Sequence, residues 1–339
     1  MESNLEALAQ LWRTPQRSLI LTHYNPDGDA LGSSLALARL LSKLGHQVQL
    51  LLPNPAPPFL PWMPGLAEAL TYEQHVEAAQ QALRQAQTIF CLDFSQLHRL
   101  GPLSEPLRQA TTPKVIIDHH RQGEDFAQLT LCRPEVPATS LMLYHYFTQL
   151  GFAQLLDAQM ATCLYTGILT DTGLFQHANT TPQAHEAAAA LMTLGAAPST
   201  IYRNLYARKS PQWLRFMGHS FLHRLQWRPD FASAYLVLPR QDLSTFAVGA
   251  GATQGLMGQL LELQGLRCAV LLKGHPDHVR LSFRSVGELD VSAFAQQHFH
   301  GGGHRNAAGG RYAGSLQVAV EALDRLLPAF VAASAGYRG

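Results

Sequence analysis

Residues 18–32, SLILTHYNPDGDALG, change from a strand pattern to a helix pattern across one short polar turn. Ser18–Thr22 is a short apolar run of the kind that forms a buried strand, and an amphipathic helical pattern covers about residues 31–44 before Gly45 ends it. A second strand pattern follows at Gln47–Leu52. A strand, a helix and a strand in this order predict two parallel strands joined by a crossing helix, so the fold class is expected to be α/β.

The same alternation continues through the first half of the chain. Because each strand pattern is separated from the next by helical or loop residues, we expect a mostly parallel sheet flanked by helices. The further strand patterns are Thr88–Phe94 and Lys114–Asp118, and the further helical patterns are 139–150, 157–169 and 182–194, the last with Thr181 as N-cap and Pro182 at its first position.

Two domains are expected, because 339 residues exceed what a single hydrophobic core usually fills. We predict an N-terminal catalytic domain at 1–195, a linker at 196–215 and a smaller C-terminal α/β domain at 216–339, with a cleft between the domains. The strand patterns of the second half are 232–238, 268–273 and 279–283, a helix is expected near 253–263, and a glycine-rich segment at 301–310 precedes a terminal helix at about 316–330.

The overall composition limits the class of partner. Hydrophobic residues make up 47% of the chain and charged residues 14%, which is typical of a globular protein. With 25 Lys and Arg against 24 Asp and Glu, the chain lacks the positive field that proteins use to follow long nucleic acids. No apolar run is long enough for a membrane span, and the N-terminus has no signal-like pattern. Scattered cysteines suggest buried thiols, so we expect a cytoplasmic protein that binds neither membranes nor long nucleic acids.

Acidic and histidine residues recur where predicted strands end, and once in a predicted helical region. In open α/β sheets this edge is the usual place for ligands, so we expect the side chains to converge. Any one of them alone reads as a cap or a loop residue, but together they form a candidate site. Its members are His23, Asp27 and Asp29 after the first strand, Asp93 at the end of the third, Asp118, His119 and His120 at the end of the fourth, and Asp171.

These residues favour two divalent metal ions over one. One ion needs three or four protein ligands, and so many carboxylates in one place repel each other unless cations are present. Six residues of the set are offered as ligands, namely His23, Asp27, Asp29, Asp93, His119 and Asp171. Two ions bridged by one carboxylate can activate a water and stabilise phosphoryl oxygens during displacement. Imidazole and carboxylate ligands without thiolate suit Mn²⁺ and also Mg²⁺ or Co²⁺, while donor type alone leaves zinc open.

The glycine-rich segment is a second candidate site. Glycines allow backbone N–H groups to approach an anion closely, although the same pattern can form a simple turn. The surrounding residues favour the anion, because positive charges exceed negative ones by about three in a chain that is otherwise near neutral. The positive residues of 267–311 are Arg267, Lys273, Arg280, Arg284, Arg305 and Arg311, and the negative ones are Asp277, Glu288 and Asp290.

The ordered motifs resemble those of a known family. They are His23-x-x-Pro26-Asp27-x-Asp29-x-x-Gly32-Ser33, the single Asp93, Asp118-His119-His120 and Gly302-Gly303-His304. This order resembles the DHH phosphoesterase superfamily with a C-terminal DHHA1 domain, over about residues 19–310. The compact length, together with Phe283-Arg284-Ser285 and the glycine-rich segment, is most similar to the branch of nanoRNases (oligoribonucleases) and pAp phosphatases.

The resemblance implies a role for each residue. One metal would be held by His23, Asp27 and Asp93, and the other by Asp29, Asp93, His119 and Asp171, with Asp93 as the bridge. Asp118 would orient a ligand, and His120 would face the scissile phosphate. The substrate's terminal phosphate or base would be bound by Arg284, Ser285, Gly302, Gly303, His304 and Arg305.

The resemblance also implies the activity. A nanoRNase-like chain would degrade RNA of about two to four nucleotides to mononucleotides and remove the 3′-phosphate of 3′-phosphoadenosine 5′-phosphate (pAp). A phosphodiesterase for cyclic or linear dinucleotides is a close alternative that the sequence does not separate from it. The leucine stripes of the helices permit a homodimer, which the family often forms.

Three other readings are weaker. A RecJ-like single-strand exonuclease would need a longer and more basic chain with an extra stacking domain. A family II inorganic pyrophosphatase has related N-terminal motifs but a second domain that residues 301–310 do not match. A non-enzymatic binding module would be expected to lack one of the ligands, and none is missing here.

Overall fold

The computed structural model describes residues 2–120, 123–206, 210–248, 253 and 255–333. The chain divides into two compact units, Met1–Arg208 and Lys209–Gly339, and each contains one six-stranded sheet with helices. The expected mixed α/β architecture, with a parallel sheet flanked by helices in the N-terminal part, is confirmed. Among the described helices, none combines the length and apolar character that crossing a membrane requires.

The first unit begins with a helix and then alternates strands and helices. Its strands are β1 (Arg17–Leu21), β2 (Gln47–Leu52), β3 (Leu70–Thr71), β4 (Thr88–Leu92), β5 (Lys114–Asp118) and β6 (Leu129–Cys132). Its helices are α1 (Glu2–Arg13), α2 (Gly28–Lys43), α3 (Val76–Gln85), α4 (Ser104–Gln109), α5 (Thr139–Gln149), α6 (Ala158–Asp171), α7 (Pro182–Thr193) and α8 (Pro198–Tyr206). A 3₁₀ segment, Leu97–Leu103, lies between β4 and α4.

The strands of the first unit are all parallel, in the order β3-β2-β1-β4-β5-β6. Both faces of β1 are covered by apolar side chains, because Leu19 and Leu21 belong to one hydrophobic cluster and Ile20 to another. This explains why the strand reads as a continuous apolar run. The strand order reverses between β1 and β4, which makes this point the expected place for a ligand.

Helices α2 and α6 approach each other closely, because glycines lie at their contact. A Cβ on Gly32 would come within 2.5 Å of the backbone oxygen of Cys163, and one on Gly28 would come within 2.5 Å of Oγ1 of Thr170. On the α6 side, a Cβ on Gly167 would come within 2.7 Å of Oδ1 of Asp29. The small residues therefore set the distance between the two helices that carry acidic residues of the site.

The second unit has a mixed sheet in the order β11-β12-β10-β9-β8-β7, in which only the β8–β9 pair is parallel among the described pairs. Its strands are β7 (Leu225–Arg228), β8 (Ser233–Leu238), β9 (Cys268–Gly274), β10 (Val279–Ser285), β11 (Gly302–His304) and β12 (Ala307–Tyr312). Its helices are α9 (Pro211–His223), α10 (Arg240–Thr245), α11 (Leu256–Leu261), α12 (Val291–His298) and α13 (Leu316–Ala333). The helix expected near 253–263 is α11, and residues 251, 252 and 254 lie outside the described part.

The two faces of this sheet are covered differently. Leu281 and Phe283 of β10 pack into a core with residues of α12 and α13. On the opposite face, a second core that includes Phe216 and Leu260 covers residues of β8 and β9. The alternation along β10 places Arg280, Ser282 and Arg284 on that second face, and Arg280 is exposed.

The glycine-rich segment forms a hairpin of β11 and β12, where the sequence predicted an anion-binding loop or a turn. Glycine is required here because other backbone lies close. A Cβ on Gly301 would come within 1.9 Å of the oxygen of Gly309, and one on Gly310 would meet Phe299 at 2.8 Å. These glycines therefore allow the strands and the end of α12 to pack closely.

Candidate active site

The acidic and histidine residues follow adjacent strands at the reversal point of the first sheet. β1 ends at Leu21, β4 at Leu92 and β5 at Asp118, and all three strands point the same way. The segments that follow them leave the sheet at one edge, so His23 and Asp93 come together although they are far apart in sequence.

His23, Asp27 and Asp93 form the first group, in which the potential ligand atoms lie within 4.8 Å of one another. Nε2 of His23 is 3.5 Å from Oδ2 of Asp93 and 4.0 Å from Oδ2 of Asp27. The other oxygen of Asp27 caps α2, since Oδ1 accepts hydrogen bonds of 3.0 Å from the backbone N–H groups of Asp29 and Ala30. The cap holds the carboxylate so that Oδ2 remains on the side of His23.

Asp29, His119 and Asp171 form the second group. Nε2 of His119 is 3.1 Å from Oδ2 of Asp171, the last residue of α6, and 4.0 Å from Oδ2 of Asp29. Asp29 is fully buried and accepts hydrogen bonds from the N–H groups of Thr139 and Ser140, at 2.6 and 2.8 Å. These N–H groups belong to the first turn of α5, whose positive end therefore stabilises a buried carboxylate.

Asp93 connects the two groups. Its Oδ1 is 3.4 Å from Nε2 of His119, and its Oδ2 is 3.5 Å from Nε2 of His23. The hydroxyl of Thr139 donates to Oδ1 at 3.0 Å. The backbone of Asp93 is left-handed, with φ of 64°, a conformation that Asp and Asn adopt more readily than most other residues with a side chain. One carboxylate thus presents an oxygen to each group, which is what a ligand shared by two ions must do.

The two histidines are oriented by backbone carbonyls. Nδ1 of His23 donates to the oxygen of Tyr24 at 2.9 Å, and Nδ1 of His119 donates to the oxygen of Val136 at 3.2 Å. This leaves Nε2 of each ring to face the carboxylates, and Nε2 of His23 is buried without a hydrogen-bond partner in the described chain. Fixing one ring nitrogen in this way is how proteins present the other to a metal.

Burial and mutual repulsion disfavour the ionised form of some carboxylates in the cluster. Burial raises the pKa of Asp29 well above its usual value, with a further rise from Asp93 and Asp171. Burial also raises the pKa of Asp171 to about 6, despite a hydrogen bond from His119. For His119 burial lowers the pKa, but hydrogen bonds to Asp171 and Asp93 outweigh it and raise the pKa to about 12. Divalent cations would relieve this repulsion, and the donor set fits Mn²⁺ or Mg²⁺.

His120 lies beside the cluster, and both of its ring nitrogens have protein partners. Nδ1 donates to Oδ1 of the buried Asp118 at 2.7 Å, and Nη1 of Arg99 donates to Nε2 at 3.0 Å. A guanidinium only donates, so the ring proton is assigned to Nδ1. Nδ1 also lies 3.8 Å from Oδ1 of Asp93. The histidine that Asp118 orients is thus His120, while His119 is oriented by the backbone.

Comparison with known proteins identifies the family of this chain. The family model described as "DHH family, N-terminal domain" matches residues 17–168, and the model described as "DHHA1 domain" matches residues 234–331. The bifunctional oligoribonuclease and PAP phosphatase NrnA of Thermus thermophilus is 32% identical over 297 residues, which are 86% of this chain and 82% of that protein. The chain belongs to the DHH family. As a member of it, the chain is a hydrolase of the phosphoesterase class.

Other relatives also match this DHH protein over most of its length. The protein of the same name from Bacillus subtilis is 26% identical over 290 residues, which are 85% of this chain and 86% of that one. The crystal structure of an exopolyphosphatase-related protein from Bacteroides fragilis superimposes with a TM-score of 0.94 at 30% identity, over 98% of both chains. The resemblance to the DHH and DHHA1 pair that the sequence motifs indicated is confirmed.

In the DHHA1 domain, three of the predicted substrate-binding residues lie on one face of the sheet. Arg284 pairs with Ala307, and Ala307 pairs with His304, so these residues form one row across β10, β12 and β11. Gly302 pairs with Gly309 and lies one row away on the same face. The structure therefore brings Arg284, Gly302 and His304 together.

The other three predicted residues have different surroundings. Ser285 lies on the buried face, where its hydroxyl donates to the oxygen of Leu289 at 2.6 Å. Gly303 has φ of 147°, and a Cβ on it would meet the facing strand at 2.5 Å. Arg305 forms an ion pair of 2.5 Å with Glu288. These contacts are structural, and the role of the three residues in substrate binding stays a prediction.

Three residues that contact the site were not predicted from the sequence. Thr139 and Ser140 bind Asp93 and Asp29, and a polar pair at the start of a predicted helix was the available signal. Arg99 contacts His120 and donates to the backbone oxygen of Asp93 at 3.3 Å. Nothing in the sequence separates Arg99 from a surface arginine, because its position depends on the 3₁₀ segment that follows Asp93.

Proposed function

We propose that this DHH protein degrades RNA of about two to four nucleotides to mononucleotides and removes the 3′-phosphate of pAp. The observation that carries the proposal is the place of Asp93, whose two oxygens lie near His119 and His23 of two potential ligand groups. The two NrnA relatives are named as bifunctional oligoribonuclease and PAP phosphatase, which supports the choice of substrates. The near-neutral net charge of +1 supports small substrates, since long nucleic acids are bound through many phosphate contacts.

The proposal includes two divalent metal ions, with Mn²⁺ as the preferred one. When bound, such ions supply a water of lowered pKa and offset negative charge on the phosphoryl oxygens. We assign one ion to the first ligand group and the other to the second, with Asp93 shared. The proposed ligands are His23, Asp27 and Asp93 for one ion, and Asp29, Asp93, His119 and Asp171 for the other.

His120 and Arg99 are proposed to face the scissile phosphate together. In the described conformation, Nε2 of His120 accepts from Arg99, which leaves the other guanidinium donors of Arg99 able to contact a phosphoryl oxygen. Asp118 holds the ring of His120 through Nδ1. Arg99 thus binds the phosphate with His120 beside it, and Asp118 acts as a positioning residue.

We assign catalysis to the DHH domain and substrate binding to the DHHA1 domain. Arg284 and His304, with the neighbouring Gly302, are proposed to bind the phosphate or base at the far end of the substrate. A guanidinium binds phosphate oxygens in pairs, and a glycine beside it leaves room for a ligand to approach the backbone. Partial burial lowers the pKa of Arg284, so its charge is poorly solvated and gains from an anionic partner.

The test is a turnover panel with Mn²⁺. End-labelled dinucleotide, trinucleotide, pentanucleotide and a long RNA strand are compared, together with pAp and a cyclic dinucleotide. The expected result is mononucleotide product and release of phosphate from pAp, with kcat/KM falling steeply beyond the tetranucleotide length. Equal or faster turnover of the long strand would overturn the length limit, and preference for the cyclic dinucleotide would assign the chain to dinucleotide phosphodiesterases.

A matched variant excludes a contaminating ribonuclease. Asp93→Asn keeps the size of the side chain and the tolerance for a left-handed backbone, but it removes the charge that two ions would share. Preparations of this variant, purified in parallel, are expected to lose turnover of every substrate in the panel. Residual turnover equal to that of the unchanged protein would show that the activity has another source.

A further inference from the structure

A row of three cations crosses the DHHA1 sheet on the face opposite α12 and α13. Lys273 of β9 pairs with Arg280 of β10, and Arg280 pairs with Arg311 of β12. Directly paired residues of antiparallel strands point to the same face, so the three side chains are neighbours. Both arginines are exposed, and Lys273 is half-buried. We call Lys273 and Arg280 the cation pair.

The carboxylates of this region have other partners. Asp277 accepts from Nη2 of Arg311 at 2.9 Å, Glu288 pairs with Arg305, and Asp290 caps α12 through its side chain. These are all the acidic residues between 267 and 311. Within the described ranges of the chain, the cation pair therefore has no carboxylate partner.

The two cations are close enough to repel each other. Partial burial lowers the pKa of Lys273, and the charge of Arg280 lowers it further. The nearby His275 responds in the same way, because burial first and then Lys273, His278 and Arg280 lower its pKa. An uncompensated pair of this kind gains from an anion that accepts hydrogen bonds from both members, and phosphate oxygens do this well.

Aromatic rings lie next to the cation pair. In the turn between β9 and β10, the imidazoles of His275 and His278 stack with centroids 4.6 Å apart and an angle of 9° between their planes. Surfaces that bind single-stranded nucleic acids combine cations for the phosphates with flat rings for the bases. This favours a nucleotide phosphate over a free inorganic anion as the ligand.

The cation pair and Arg284 are separated along the sheet. Arg280 and Arg284 are four residues apart on β10, which corresponds to about 13 Å along the strand. Ser282 lies between the two arginines on β10, and its partner on β12 is Gly309. Because serine is small and glycine has no side chain, no bulky group of β10 or β12 lies between the arginines on this face. Two backbone phosphates of one oligonucleotide can therefore contact the two ends separately.

We propose that Lys273 and Arg280 form a second phosphate subsite on the DHHA1 domain, which binds an additional backbone phosphate of an oligonucleotide held at Arg284. This inference rests on the proposed function and adds to it. The subsite adds a binding contact for substrates longer than a dinucleotide, whereas pAp and a dinucleotide need only the end of the sheet at Arg284. It therefore contributes to binding of the longer substrates and not to the chemical step.

The experiment compares the full-length protein with Lys273→Ala/Arg280→Ala. Steady-state kinetics with Mn²⁺ are measured on pAp, a dinucleotide and a pentanucleotide. The double substitution is expected to raise KM for the pentanucleotide about tenfold and to leave kcat unchanged, with KM for pAp and the dinucleotide within about twofold. The slope of log KM against log salt for the pentanucleotide should fall by about 0.7 for each lost phosphate contact.

Two control variants accompany the test. Arg215→Ala/Arg325→Ala removes the same charge from exposed positions on α9 and α13 and should leave all three KM values unchanged. Lys273→Arg/Arg280→Lys keeps both charges and should retain most of the binding of the pentanucleotide. An unchanged KM for the pentanucleotide in the alanine variant, or an equal rise for pAp and the pentanucleotide, would overturn the proposal.

A binding measurement separates this inference from the proposed function. Fluorescence anisotropy of labelled pentanucleotide in EDTA needs no turnover. If the unchanged protein hydrolyses neither RNA nor pAp, the proposed function fails, while weaker binding by the alanine variant alone still supports the subsite. Equal binding by the unchanged protein and the alanine variant, or no binding by either, contradicts the subsite even if the enzyme is active.

Discussion

Nδ1 of His120 lies 2.7 Å from Oδ1 of Asp118, and Asp118 is fully buried at the end of β5. The same oxygen accepts a hydrogen bond of 3.2 Å from the backbone N–H of His120. Two contacts from a rigid strand end thus fix both the backbone and the ring of this histidine. Burial raises the pKa of Asp118, but the interaction with His120 lowers it more, so the carboxylate stays ionised and keeps the ring in place.

Asp118→Asn is expected to lower kcat about ten- to a hundredfold, because a neutral amide holds the His120 ring less firmly. KM for pAp should change less than kcat, because Arg99 and the proposed DHHA1 residues still contact the substrate. Steady-state kinetics with Mn²⁺ measure both values. Calorimetric titration of Mn²⁺ serves as the control, and a loss of Mn²⁺ affinity as large as the loss of kcat would show that Asp118 acts on the ions and not on His120.

Asp93→Asn is expected to abolish binding of at least one Mn²⁺ and to lower kcat by about a hundredfold or more, because a single amide oxygen cannot replace the charged bridge between His23 and His119. Calorimetry should find two Mn²⁺ per chain in the unchanged protein and a lower number in the variant. Thr139→Val, which removes only the hydrogen bond to Asp93, should retain both ions with weaker affinity. A stoichiometry of two in Asp93→Asn would contradict the shared role.

Gly32→Ala is expected to lower the free energy of unfolding by about 1–3 kcal/mol, because the added Cβ would lie within 2.5 Å of the backbone oxygen of Cys163. Urea denaturation measures the change. Gly218→Ala is the matched control, since nothing lies within 4 Å of a Cβ at that helical position, and it should be neutral or stabilise by up to about 1 kcal/mol. If both variants had the same stability, close packing of α2 on α6 would not be the reason for Gly32.

The ion pairs of Asp157 predict a dependence of stability on pH. Burial raises the pKa of this carboxyl, but hydrogen bonds from Lys43, the backbone of Met160 and Arg39 outweigh burial and hold the pKa at about 2. In the unfolded chain the pKa is about 3.9. The folded state therefore gains stability from Asp157 above about pH 4 and loses it as the pH falls towards 2.

Asp157→Asn tests this pH dependence while keeping a good N-cap for α6. The urea midpoint of the unchanged protein should exceed that of the variant at pH 5 and above, and the difference should close as the pH falls. Asp157→Ala, which also loses the cap, should be less stable by about a further 1 kcal/mol at every pH. A difference between the unchanged protein and Asp157→Asn that stays constant down to pH 3 would contradict the linkage.

Much of the first domain could be predicted because its signals are local. The bounds of β2 and β5 agree with the predicted ones, since buried strands read as short apolar runs. Helix α7 has the predicted Thr181 cap and Pro182 at its first position. The prediction for β4 was two residues too long, because Asp93 turns left-handed after Leu92 and ends the strand. The edge strands β3 and β6 escaped prediction because they are short and partly polar.

The positions of site residues at strand ends could be predicted. The face of the sheet on which a residue within a strand lies could not, because it depends on where the strand ends. Acidic residues after successive parallel strands converge whatever the loops do, which placed Asp93 and His119 together in advance. The family resemblance implied that Arg284 and Ser285 both bind the substrate, and the predicted strand ended before them, at Phe283. In the structure β10 continues through Ser285, and adjacent residues of a strand face opposite sides.

The left-handed backbone at Asp93 also limits how this position can evolve. Glycine and asparagine tolerate such a backbone, but neither offers two charged oxygens, and glutamate carries the charge on a side chain that fits this conformation poorly. The residue at this position must adopt a left-handed backbone and must also offer two charged oxygens. A substitution that meets one of these requirements fails the other. In a saturation library selected for activity, Asp93 should show the narrowest tolerance of all the proposed ligands, narrower than Asp27, whose backbone is extended.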